Sequence, residues 1–418
     1  MRVVRLEKGS DAAAVRSLTP EPRDVEDEVR SILEQVRTGG DSAVRRLTAR
    51  FDQADLAPDE LEVPPRELEA SVTSLEPGVL AGLRTAIANV RGVARTQLHE
   101  PDAVELPEGQ RVELVDSPVR RAGLYVPGGR AAYPSTVVMC AVTARAAGVD
   151  EIAVCAPPGP EGRAQAVILA ACALCEVAQV YRMGGAQAVA AFAYGTESVR
   201  PVDVIAGPGN RYVQEAKRQV AGQVGIDGVA GPSELAVVAS AGAEPELVAL
   251  DLLAQAEHGD DSLLAAISPD AGLLDEVVGA LERLAPERPS VTDAPIAVVP
   301  VEDVHAAVRL ANDLAPEHLE LVGEEAEALA DLVRSAGCVF IGRGAGTAFG
   351  DYVAGSNHVL PTGGAARFQS ALSVATFRRR MARVSLPGDA ARRLAPAGGA
   401  LARAEGFPVH AESMERRA

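Results

Sequence analysis

From Arg121 onward the chain alternates short apolar runs with alanine-rich amphipathic segments, and this alternation restricts the fold more than any other feature. Residues 123–126, 151–156, 177–182 and 202–206 read as strands, and the segments between them carry a helical period. A chain of this kind can bury its apolar faces only as a parallel sheet covered by helices on both sides. The same texture resumes near Ser233. There residues 235–239, 263–268, 296–299 and 338–341 read as strands and 245–258 as a helix. The expected class is α/β, with two Rossmann-like doubly wound α/β units.

Residues 1 to about 120 read mainly as helices. Asp24 precedes an amphipathic run through Val25, Val29, Ile32, Leu33 and Val36 that stops at Gly39-Gly40, and Asp41 can cap the next run to Phe51. No chemistry is evident in this arm. Past about Arg367 the pattern becomes arginine-rich and amphipathic with glycine and proline breaks, the pattern of a tail that docks on something.

Three expected strands end in glycine-rich turns: Pro127-Gly128-Gly129, Gly184-Gly185-Ala186-Gln187 and Gly207-Pro208-Gly209-Asn210. In an open parallel sheet the ligand crevice lies at the carboxyl ends of the strands, where glycine lets a phosphate approach the backbone. Any one of these turns is more simply a tight strand-to-helix connection. Three together point to a phosphate-bearing ligand, although none is the Gly-x-Gly-x-x-Gly fingerprint of dinucleotide sites. Gly342-Arg343-Gly344-Ala345-Gly346 lacks the Lys-Ser or Lys-Thr ending of a phosphate loop.

The helix 245–258 ends in Gln255-Ala256-Glu257-His258-Gly259, which sets Gln255 and His258 on one face, able to address a single ion. Two side chains do not hold a divalent cation, so other ligands must come from elsewhere. Asp351 and His410 could complete a mixed oxygen and nitrogen set, and two imidazoles favour zinc or a similar transition metal over magnesium or calcium. Taken singly, each of the four is more commonly a satisfied polar group. Spacing in sequence cannot join them. Glu317-His318 is a different kind of candidate. The helix through Val308 and Leu314 should end before Pro316 and leave the pair in a loop, where a histidine beside a carboxylate could take a proton from an alcohol or water, or simply be hydrogen-bonded. His99 reads as a surface residue and His305 as part of an ordinary amphipathic helix.

Composition excludes other classes. A net charge of −18 repels nucleic acid and anionic membranes. Five cysteines in apolar contexts suggest buried thiols in a reducing cytoplasm, and Cys172 and Cys175 read as core packing. No run is long enough to span a bilayer, and no segment reads as a signal peptide.

Taken in order, Gly123-Leu124-Tyr125-Val126-Pro127-Gly128-Gly129, Gly184-Gly185-Ala186-Gln187-Ala188, Ala206-Gly207-Pro208-Gly209-Asn210, Gly231-Pro232-Ser233-Glu234, Gln255-Ala256-Glu257-His258, Pro316-Glu317-His318-Leu319-Glu320 and Gly355-Ser356-Asn357-His358-Val359-Leu360-Pro361-Thr362 resemble the histidinol dehydrogenase family, over nearly the whole chain. The resemblance implies a cytoplasmic homodimer that oxidises L-histidinol through the aldehyde to L-histidine with two NAD, closing histidine biosynthesis. It implies one zinc per subunit on Gln255, His258, Asp351 and His410, the last reaching across from the partner subunit. It makes Glu317 and His318 the acid/base pair. Ser233, Gln255, His258, His318, Asp351, Glu405 and His410 would bind substrate, and Tyr125, Gln187 and Asn210 would bind NAD. The domains it implies are an extension, 1–24; an α/β domain with the metal and acid/base residues, 25–121 plus 233–366; an inserted NAD-binding domain, 122–232; and a dimerisation tail, 367–418. Two other classes remain open on the residues alone: a zinc hydrolase, which would have no use for the glycine-rich unit, and a catalytically silent nucleotide binder, which would have none for His318.

Overall fold

The computed structural model describes residues 2–20, 23–128 and 131–418. Strand β1 (Arg2–Arg5) and helix α1 (Ala12–Arg16) open the chain. Helices α2 (Glu26–Phe51), α3 (Pro65–Thr73) and α4 (Pro77–Thr96) follow, then an exposed hairpin of β2 (Asp102–Glu105) and β3 (Arg111–Pro118). The first α/β unit comprises β4 (Arg121–Tyr125), α5 (Pro134–Ala146), β5 (Glu151–Ala156), α6 (Ala166–Leu174), β6 (Gln179–Arg182), α7 (Gly185–Tyr194), β7 (Val204–Ala206), α8 (Arg211–Val220) and β8 (Gly225–Ile226). The second comprises β9 (Glu234–Ala239), α9 (Pro245–Ala256), β10 (Leu263–Ser268), α10 (Ala271–Leu284), β11 (Pro295–Pro300), α11 (Val304–Leu314), β12 (His318–Val322), α12 (Glu324–Glu327) and β13 (Cys338–Ile341). The chain ends with α13 (Thr347–Tyr352), β14 (Arg378–Ser385), α14 (Gly388–Ala404) and α15 (Pro408–Glu415).

Both units are wound in the same way. The first sheet runs β6-β5-β4-β7-β8 and the second β1-β11-β10-β9-β12-β13, with every pairing parallel. In each, the chain steps outward from a central strand and then returns to the other side of it, which puts a topological switch point at β4/β7 and at β9/β12. Alternation decides which face each side chain meets. Leu124, Val154 and Val180 pack with α5 and α6, whereas Tyr125, Cys155, Tyr181 and Ile205 pack with α7 and α8. In the second sheet Leu235, Val237 and Leu264 face α9 and α10, and Ala236, Val238, Leu319 and Leu321 face α11. This is the doubly wound class expected from the alternation. No helix among the described residues is long and apolar enough to cross a membrane.

The structure draws the unit boundaries differently from the sequence. The arm expected to join the second unit packs on the first: Val29, Ile32, Val36, Val44 and Leu47 of α2 lie against α7 and α8, and Leu83, Ile87 and Val90 of α4 against α5. Periodicity shows that a helix has an apolar face but not which partner covers it. The supposed extension is also part of the second sheet, where β1 pairs in parallel with β11 from Arg2↔Pro295 to Arg5↔Val298. The break at Gly40 is present, with φ 51° and ψ −141° inside α2. The Asp41 carboxylate accepts from the Thr196 hydroxyl at 2.5 Å and from the Ser198 hydroxyl at 2.5 Å, tying the arm to the loop after α7. At the other end β14 pairs antiparallel with β3, and Arg393 of α14 donates to the Glu108 carbonyl at the hairpin turn, so the tail is anchored on the arm.

Candidate active site

Tyr125 ends β4, Gln187 lies in the first turn of α7, and Asn210 caps α8 after β7. All three sit at the carboxyl edge of the first sheet, beside its switch point, where ligands enter such folds. The Tyr125 hydroxyl accepts the Gly185 N–H at 3.0 Å, which links the turns after β4 and β6. Gln187 is only 1% exposed, and neither its amide oxygen nor its amide nitrogen has a partner among the described residues. A buried amide without partners is costly unless something else satisfies it, so this edge has the chemistry of a ligand cradle. The third turn is locked more firmly. Lys217, 1% exposed, forms a buried ion pair with Asp227, donates to the Gly207 carbonyl at 3.1 Å, and Asp227 accepts the Gly207 N–H at 2.7 Å. Gly207 has φ +123°, and a Cβ there would meet the Tyr125 carbonyl oxygen at 2.1 Å. Of the Pro127-Gly128-Gly129 turn, Gly129 lies outside the described residues.

The second cluster gathers at the opposite edge of the other sheet. Glu317 precedes β12, His318 begins it, and Ser233 and Glu234 stand where β9 begins, so the pair sits at the amino ends of the two switch-point strands. This corrects the loop placement. Ala315 closes α11 in the left-handed region, φ 46° and ψ 59°, and the chain enters a buried strand three residues later. The run Glu317-His318-Leu319-Glu320 reads as polar and exposed, yet Glu317, His318 and Glu320 are all buried.

Their partners fix them. Glu317 Oε2 accepts the Glu234 N–H at 2.9 Å, and the Glu317 N–H returns to Glu234 Oε2 at 3.3 Å. Glu234 Oε1 in turn takes Arg16 at 2.8 Å and the Gly363 N–H at 2.9 Å. His318 Nδ1 lies 3.1 Å from the Glu234 carbonyl, so it carries a proton and donates, leaving Nε2 as the position that gains and loses the second proton. Nε2 faces Asp351 Oδ1 at 3.7 Å. Burial pushes the Glu317 carboxyl up to about 7, against the pull of His318. For His318 burial alone would lower the value, but the Glu317 and Asp351 carboxylates outweigh it and raise it to about 9. Burial would raise Asp351; His318, His358 and His258 together hold it below the usual carboxylate range.

Gln255, 2% exposed, and His258 bring α9 into this cluster, with His258 exposed just past the helix end and close enough for Asp351 to act on its charge. The helix stops at Ala256, short of the expected His258, and a single-turn bond from the His258 N–H to the Gln255 carbonyl keeps the two together. The fit to a metal is incomplete within one chain. Gln255 in α9, His258 just past its end and Asp351 in α13 offer oxygen and nitrogen donors, and the buried Gln255 Nε2 has no hydrogen-bond partner among the described residues. Among the described residues, however, no three His, Cys, Asp or Glu side chains converge as a shell. Glu405 caps α14 and His410 lies exposed on α15, stacked on Phe407 at 5.2 Å, so the chain does not bring them to the other ligand candidates.

Several positions escaped the sequence reading. Glu234 was visible only as part of a motif. Its carboxylate organises the acid/base pair. Phe340 stacks on His318, with ring centroids 6.0 Å apart. His358 donates through Nδ1 to the Asp351 carbonyl at 2.9 Å and meets the Thr136 hydroxyl at 3.2 Å, joining α5 of the first unit to the second cluster. That contact turns the carboxyl edge of one sheet toward the amino edge of the other. All five cysteines are free thiols, and Cys172 and Cys175 are buried as expected of core residues. His99 is exposed and His305 lies in α11.

Comparison with known proteins places this arrangement. Residues 16–418 match the family model described as histidinol dehydrogenase. The chain is 43% identical over 402 residues to the histidinol dehydrogenase of Nitrosomonas europaea, covering 94% of this chain and 93% of that protein. It is 45% identical over 409 residues to that of Parasynechococcus marenigrum, covering 96% and 93%. Among solved structures, the histidinol dehydrogenase of Elizabethkingia anophelis superposes with a TM-score of 0.93 at 30% identity, covering 100% of this chain and 98% of that one. A family model over most of the length, full-length relatives above two-fifths identity and one shared architecture give a single result: the chain belongs to the histidinol dehydrogenase family.

Proposed function

We propose that the protein is a cytoplasmic homodimer that oxidises L-histidinol by four electrons to L-histidine, with two NAD and one zinc per subunit. The observation that carries this reading is the buried Glu317-His318 pair, with Nε2 of His318 facing Asp351 and with His258 close enough to act on that carboxylate. When bound, NAD would accept the hydride at the Tyr125, Gln187 and Asn210 edge, and zinc on Gln255, His258, Asp351 and a partner His410 would act as a Lewis acid that orients the substrate.

The remaining roles belong to side chains. The Glu234 carbonyl holds the His318 proton on Nδ1, so Nε2 takes the alcohol proton as hydride leaves the carbinol carbon. Glu317, poised near 7, then removes a proton from water to hydrate the aldehyde, and His318, after releasing the alcohol proton to solvent, deprotonates the diol for the second hydride transfer. Overall, one alcohol, one water and two NAD⁺ give one carboxylate, two NADH and three protons. Ser233 at the start of β9, with Glu405 from the tail, would hold the amino-acid end of the substrate. No thiol intermediate is needed, which suits cysteines whose burial pushes the thiols up.

The exposed tail supports a shared site. Leu401, Phe407 and Val409 present large apolar surfaces around His410, as expected of a segment covered by a second copy. Mixing subunits tests this. His318→Asn and His410→Ala chains, each inactive alone, should recover about a quarter of wild-type activity when dimers are re-formed at random, because one site in each mixed dimer is intact. No recovery in verified mixed dimers would place His410 in its own subunit's site or outside the site altogether.

A further inference from the structure

Each of the three elements that carry site residues also carries a polar side chain one step further from the site. On α9, Asp251 lies one turn before Gln255; on β12, Glu320 lies on the same face as His318; on α13, Thr347 lies one turn before Asp351. These three groups meet. Glu320, 1% exposed, accepts the Thr347 N–H at 2.7 Å and the Thr347 hydroxyl at 2.5 Å through Oε1. Its other oxygen, Oε2, is buried with no hydrogen-bond partner among the described residues and lines one small cavity together with Asp251. Two buried carboxyl groups facing one small cavity are not both ionised, and a proton kept on one of them lets it donate to the other. Gly346, just before α13, completes the fit: a Cβ there would come within 2.9 Å of the Asp251 carboxylate.

We propose that Asp251, Glu320 and Thr347 form a buried clamp that positions Gln255, His318 and Asp351 relative to one another. They are positioning residues and touch neither substrate nor cofactor. The second sheet fixes only β12 by its ladder, while α9 and the six-residue α13 are held to the strand by side chains alone. The clamp is the polar link common to all three. It spans elements that no backbone hydrogen bond joins. Burial raises Glu320 to about 7 and Asp251 to about 6, as expected of acids that keep a proton between them.

This rests on the reading of Gln255 and Asp351 as zinc ligands, so the readout is zinc affinity as well as turnover. Full-length Glu320→Leu and Asp251→Leu chains, checked for folding by circular dichroism, should bind zinc about 10–100-fold more weakly than wild type in competition with a chelating dye, as loss of an outer-shell support does. Their kcat should fall by a similar factor, with the KM for NAD unmoved, since that edge lies on the other sheet. Glu320→Gln supplies a permanent N–H in place of the shared proton and should recover zinc affinity to within about threefold of wild type. If Glu320→Leu does not fold, Thr347→Val, which removes one donor and leaves both acids, should still weaken zinc relative to wild type. Leucine variants with wild-type zinc affinity overturn the clamp and leave the zinc reading standing. Glu320→Gln as weak as Glu320→Leu also overturns it, because charge would then matter and the hydrogen bond would not. Wild-type protein that binds no zinc overturns both.

Discussion

Replacing His318 with asparagine should cut turnover by about 10²–10⁴-fold while zinc stays bound, because the change removes a general base and not a ligand. Asparagine is the informative substitution. Its amide can still donate toward the Glu234 carbonyl that holds Nδ1 at 3.1 Å, so the strand start at β12 keeps its tie to β9. What disappears is the proton-exchanging Nε2, which faces Asp351. The measurement is steady-state NADH production beside metal content on the same sample. Loss of zinc with the activity would move His318 into the ligand set. Unchanged turnover would remove it from the chemistry.

Replacing Lys217 with methionine should destabilise the first unit by about 3–5 kcal/mol, since it leaves the Asp227 carboxylate buried without its cation. Both groups also grip Gly207, one at its carbonyl and one at its N–H. The turn they hold cannot be rebuilt by a neighbour, because Gly207 sits at φ +123° against the Tyr125 carbonyl. Weaker NAD binding should therefore accompany the lost stability, although Lys217 is too deeply buried to touch a ligand. Denaturant unfolding and calorimetric titration with NAD check the two effects separately. A variant with wild-type stability and affinity would show that the pair only fills space.

The fold class was legible because alternation of apolar strands and amphipathic helices leaves few architectures. The strands 151–156, 263–268 and 338–341 appear with the same limits, and 123–126 and 235–239 within two residues. What failed has a common physical origin. β12 was missed because Glu317, His318 and Glu320 are buried charges, and a strand that places such groups inside reads as polar loop until its partners are known. β1 and β14 were missed because each is defined by a partner far along the chain, at Pro295–Pro300 and Arg111–Pro118. Of the candidates named from the sequence, His258, Glu317, His318 and Asp351 lie close enough to act on one another's charge, but only topology shows that the Glu317-His318 pair stands at the amino edge of a sheet. Asp251 and Thr347 left no trace in the sequence and Glu234 appeared only within a motif, since a positioning role shows only in who accepts from whom.

The proposed reaction is a four-electron, metal-dependent oxidation. The direct measurement is the yield of NADH per molecule of L-histidinol, read by absorbance on zinc-loaded protein and again after chelation. Two NADH per histidinol, lost on chelation and restored by zinc, is the result expected. One NADH would mean that oxidation stops at the aldehyde and would leave Glu317 without its hydration step, and no NADH in either state would contradict the dehydrogenase reading itself.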